Sequence, residues 1–84
     1  MIDPAKYGLP SRTHLQSMNE NHLALVINRK SRIIMSDGRK IMAKIEKIKS
    51  IQKNIKVSVK TNAPVCSKTL AYLKENQVDV ISES

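Results

Sequence analysis

The chain contains no phenylalanine and no tryptophan, and its only aromatic side chains are Tyr7 and Tyr72. That scarcity excludes an aromatic core and any row of stacking platforms for unpaired bases. Its one cysteine, Cys66, excludes an internal disulfide framework and a cysteine-based zinc cage. With only His14 and His22 to add to it, no metal site and no cofactor are expected. The longest apolar runs, Leu23 to Ile27 and Ile33 to Met35, are far shorter than a membrane span. The first residues, with Asp3 and Pro4, lack the basic-then-apolar pattern of a signal peptide. A soluble, cytoplasmic protein with no membrane partner is therefore expected.

Acidic residues are also few. Seven Asp and Glu face fifteen Lys and Arg, a net charge of +8. Arg29 to Lys60 holds eleven of the basic residues and only Asp37 and Glu46 as acids, so this stretch carries +9. The other fifty-two residues carry four basic and five acidic ones, a net of −1. Such a local excess attracts phosphate backbones or acidic surfaces, although a lysine-rich helix face can also serve solubility alone.

What is present suits one small domain. Of 84 residues, 40% are hydrophobic and 26% charged, too apolar for wholesale disorder. A chain of this length buries about 60–65% of the surface that its unfolded form exposes, so its stability should be modest. The core must be aliphatic.

The segment 1–21 holds Pro4, Pro10 and Gly8 with a cluster of small polar residues. It reads as an N-terminal arm, or as a short helix capped by Ser11 with Leu15 and Met18 on one face. Residues 22–84 read as a small basic α/β domain. His22 to Ile27 is a short apolar run ended by Asn28, the pattern of a buried strand. Arg32 to Ser36 is expected to be a second strand, paired with it through a hairpin loop over 28–31. Gly38 inside a helix costs about 1 kcal/mol relative to alanine, so the first helix is expected to start near it. Ile41, Ile45, Ile48 and Gln52, with Met42, form one helical stripe. Ile55 to Thr61 alternates with period two, a strand with one buried face. A second helix follows over 65–76, with Val65, Leu70 and Leu73 as its apolar positions, and then a last strand over 78–81. Alternation of strand and helix implies right-handed crossovers. The expected fold is α/β: three parallel strands linked by two helices, plus one N-terminal antiparallel hairpin strand. Its open sheet edges leave a homodimer or a protein partner as a second expectation.

In such a sheet, ligands bind beyond the carboxyl ends of the strands. Two loops gather there, Ser36 to Lys40 and Thr61 to Thr69, each feeding a helix N-terminus whose free N–H groups favour an anion. Arg39, Lys40, Asn62, Ser67, Lys68 and Thr69 form the candidate anion site. Arg29, Lys30, Arg32, Lys44 and Lys47 form a basic face beside it. The octet from Asn62 to Thr69 resembles the phosphate-binding loop G-x-x-x-x-G-K-[ST] of nucleotide hydrolases in its last two positions, Lys68 and Thr69. Asn62 and Ser67 replace both glycines and Pro64 removes a donor, so hydrolysis is not expected. Cys66, near a helix N-terminus, is the one candidate nucleophile or phosphoryl acceptor; the alternative is a small buried hydrophobe. Asp37 and Lys60 lack the second carboxylate that a nuclease metal would need, since Ser58 occupies that place. His14 and His22 have no carboxylate partner in the pattern and read as surface residues. The sequence thus points to a non-catalytic module binding a phosphate-bearing partner, most simply nucleic-acid backbone. A protein-interaction adaptor is the alternative, and a thiol enzyme using Cys66 stands third.

Overall fold

A computed structural model of the chain describes residues 3–82. A short 3-10 turn, Pro4–Tyr7, precedes two antiparallel strands, β1 (His14–Asn19) and β2 (His22–Ile27). Helix α1 (Met35–Ile51), strand β3 (Lys56–Thr61), helix α2 (Ser67–Glu75) and strand β4 (Asp79–Ser82) follow. The sheet order is β1-β2-β3-β4, with β2, β3 and β4 parallel. This is a small α/β fold with a four-stranded mixed sheet and two helices.

Strand alternation puts Leu23 and Leu25 of β2 beside Val57 and Val59 of β3 in one buried layer. The inner stripe of α1, formed by Ile41, Met42, Ile45 and Ile48, packs on that layer with Leu73 of α2. Gln52, the last member of the expected stripe, accepts the Tyr7 hydroxyl at 3.0 Å and closes the core at its lower end. Both helices lie on the same face and touch each other. Among the described residues no element covers the other face, and none of the helices is long and apolar enough to cross a membrane.

The hairpin lies elsewhere than expected. The segment over Pro10 to Asn19 forms no helix; residues 14–19 are β1, which adds to the outer edge of β2. An edge strand over a two-layer core buries little, and here only Leu15 is buried while Met18 stays exposed. Residues 32–36 form no strand. Ile33 makes a lone parallel bridge to Val65, and α1 starts at Met35, three residues before Gly38. Two features explain the early start. Asp37, in the first turn, accepts the Ile34 N–H at 3.0 Å and satisfies a free helix donor. Gly38 faces α2, where a Cβ would stand 2.8 Å from Thr69 Cγ2. The glycine gives up helix propensity to let the two helices meet.

The uncovered face carries a polar layer instead of a second set of helices. His22 Nε2 is 2.6 Å from Ser58 Oγ, Lys60 donates to Gln16 at 3.1 Å across β2, and Lys56 pairs with Asp79 at 2.9 Å. These contacts link all four strands and shield Ala24 and Ser58, which are both fully buried. Lys56 holds the Asp79 carboxyl below its ordinary value.

Candidate anion site at the carboxyl edge

The two loops beyond β2 and β3 are stitched together by backbone. Ile33 N–H donates to the Pro64 carbonyl at 2.8 Å, and Cys66 N–H donates to the Ile33 carbonyl at 2.9 Å. Asn62 accepts the Arg29 N–H through its side chain at 3.0 Å. The N-termini of α1 and α2 therefore lie side by side at the carboxyl edge.

Not every expected residue faces outward there. Asn62 is committed to the Arg29 amide. The Arg29 guanidinium reaches Asp37 at 2.5 and 3.4 Å and the carbonyls of Ser31 and Arg32 at 3.2 and 2.9 Å. It is a structural clamp on the loop. Thr69 is fully buried between the helices, where its methyl meets Gly38. Arg39, Lys40, Lys47, Ser67 and Lys68 are exposed, as are Lys30 and Arg32, while Lys44 is half-buried. Arg39, Lys40, Lys44 and Lys47 share the outer side of α1. Among the described residues the ion pairs are Arg29–Asp37 and Lys56–Asp79, so no member of that row is held in a salt bridge, although Lys40 lies close enough to Asp37 to help hold its carboxyl down.

The clamp has a pH signature. Hydrogen bonding from Arg29, then from the Ile34 amide, holds the Asp37 carboxyl below its ordinary value. A carboxylate depressed in the folded state stabilises the fold above its unfolded pKa of about 4, and that contribution fades as pH falls through the folded value. Asp37→Asn is therefore expected to cost about 1 kcal/mol at neutral pH. The loss should shrink toward pH 3, which urea titrations at the two pH values would show.

Cys66 is the N-cap residue of α2. It is half-buried. The N–H groups of Lys68 and Thr69 draw its thiol below the ordinary value, with lesser help from the Thr69 hydroxyl and the Arg32 charge. A helix N-terminus that stabilises a thiolate is the same electrostatic device that attracts a phosphate. Alkylation of the folded protein should proceed without denaturant, with a midpoint pH lower than that of the urea-unfolded chain. A thiol that reacts only after unfolding would contradict this setting.

The sequence did not disclose a hollow beside the first turns of α1. Its volume is about 270 Å³, and its lining includes Ile27, Ile33, Ile41, Lys40 and Lys44, with the Arg29–Asp37 pair as one wall. No group of three or more His, Cys, Asp or Glu able to hold a metal occurs among the described residues. No protein-family model, no curated protein and no solved structure matches this chain.

Proposed function

We propose that the protein is a non-catalytic module that binds a phosphate-bearing partner, namely nucleic-acid backbone, through α1 and the carboxyl edge of its sheet. The observation that carries this reading is the row Arg39, Lys40, Lys44 and Lys47, none of which is in a salt bridge with a described carboxylate. Adjacent helix N-termini, with Lys68 and Arg32 nearby, extend the positive potential over the edge. Contacts of this kind go to phosphates and carry little sequence preference. The absence of Phe and Trp fits that restriction, since backbone binding needs no base platform. A cytoplasmic location belongs to the same proposal.

Counterion release makes the reading testable. A surface making about four phosphate contacts predicts a slope near −3.6 for the logarithm of affinity against the logarithm of salt concentration on duplex DNA. Fluorescence anisotropy with a labelled duplex between 50 and 200 mM salt (concentrations on the order of those that resolve such slopes) would measure it. An affinity that hardly changes over this roughly fourfold rise in salt would remove the proposal.

A further inference from the structure

The hollow beside α1 has two chemically distinct halves. Its floor is aliphatic, made by Ile27 at the end of β2, Ile33 in the following loop and Ile41 on the inner side of α1. Its rim holds Lys40 and Lys44, one helical turn apart and thus neighbours on one face. The remaining wall is electrically quiet. Arg29 and Asp37 cancel each other, and the Asp37 oxygens already accept from the guanidinium and from the Ile34 amide. The net charge offered to an occupant is thus that of two lysines; neither is in a salt bridge with a described carboxylate, though Lys40 also feels the Asp37 charge that Arg29 already pairs.

We infer that this hollow binds a phosphomonoester joined to a compact apolar body. The phosphate lies between Lys40 and Lys44, and the apolar body lies on the three isoleucines. This deepens the reading of the protein as a phosphate-binding module and rests on it. Charge matching selects the monoester: near neutral pH it carries about −1.5 to −2, against the single charge of a backbone diester. The apolar lining favours an occupant with an apolar part over bare phosphate, because burying that part releases water that phosphate alone leaves in place. The hollow, about 270 Å³, is roomy enough for a single ring and its phosphate. A phosphomonoester reaches such a site either as a free small organic phosphate or as the phosphorylated 5′ end of a single strand, and the test separates the two.

Phenyl phosphate serves as the probe, with inorganic phosphate and phenol as its two halves, in chemical-shift titrations of the labelled protein. Phenyl phosphate is expected to bind at least about tenfold more tightly than either half, with shifts centred on Ile27, Ile33 and Lys40 to Lys44. Ile27→Trp fills the floor and should abolish phenyl phosphate binding while leaving duplex binding unchanged. The double replacement Lys40→Gln and Lys44→Gln, both away from the buried core, should weaken phenyl phosphate by at least about tenfold even if the tryptophan variant fails to fold. Competition then separates the sources. A 5′-phosphorylated strand that displaces phenyl phosphate better than its 5′-hydroxyl twin assigns the site to nucleic-acid ends. Equal displacement by the two strands, with phenyl phosphate binding intact, assigns it to a free phosphomonoester. Equal affinities for phenyl phosphate and inorganic phosphate, unchanged in both variants, overturn the pocket while leaving the salt-dependent duplex binding to stand or fall separately.

Discussion

Gly38→Val is expected to destabilise the protein by about 3 kcal/mol or more, the combined cost of overpacking and of a β-branched side chain on a helix. The backbone at Gly38 is ordinary helix, so the reason is space and not conformation. A Cβ there would stand 2.8 Å from Thr69 Cγ2 and 3.7 Å from Tyr72 Cδ2. Thr69 is fully buried and has little room to turn aside. Alanine brings the same Cβ but gains about 1 kcal/mol of helix propensity, so Gly38→Ala should lie between wild type and the valine variant. Thermal unfolding is a sensitive readout, because each kcal/mol moves the midpoint of so small a domain by about 4–8 °C. The pair Gly38→Ala with Thr69→Ser removes the methyl that collides and should recover most of the alanine loss. If the valine variant melts with the wild type, the close helix approach is wrong.

Most of the fold was legible because its central elements repeat clear periods. The stripe of Ile41, Ile45 and Ile48, and the alternation of Val57 and Val59, each had one reading, and both occupy the core. The edge was harder to read. β1 buries only Leu15, so its sequence carries almost no period-two signal, and Leu15 with Met18 fits a helical spacing just as well. Pairing to β2, a tertiary event, decides its conformation. Gly38 misled for a related reason. Its local cost argued for a boundary, whereas its benefit lies in a contact with Thr69, thirty-one positions away in the sequence.

The candidate site divides along the same line. Charge is a property of composition, and the basic stretch stands out in the residues themselves. Which cations remain available is a property of partners. Arg29 looked equivalent to Lys30 and Arg32 in sequence, yet Asp37 and two carbonyls occupy its guanidinium. Asn62 looked like a loop ligand, yet its oxygen accepts the Arg29 amide. The polar layer on the uncovered sheet face was also hidden, since His22 meets Ser58 only through the parallel register of β2 and β3.

Replacing Arg39, Lys40 and Lys47 together by glutamine is expected to weaken duplex binding by about 10²–10³-fold near 100 mM salt, since each lost phosphate contact removes about 0.9 from the salt slope. The slope itself should fall by about 2.7, and this second number separates the proposal from a general loss of positive charge. The matching control removes three cations outside that row, Lys6, Lys53 and Lys74, at the same net charge. A long-range field alone would weaken both variants similarly and mostly through association rate. Direct contact weakens only the α1 variant and changes its slope. Glutamine keeps nearly the same helix propensity as lysine and arginine, and all three α1 positions are exposed, so stability should stay within about 0.5 kcal/mol of wild type. Equal affinities and equal slopes for the two triple variants would remove α1 as the binding surface. The row would then be a solvated face, and the search would turn to a protein partner for the open sheet edges of β1 and β4.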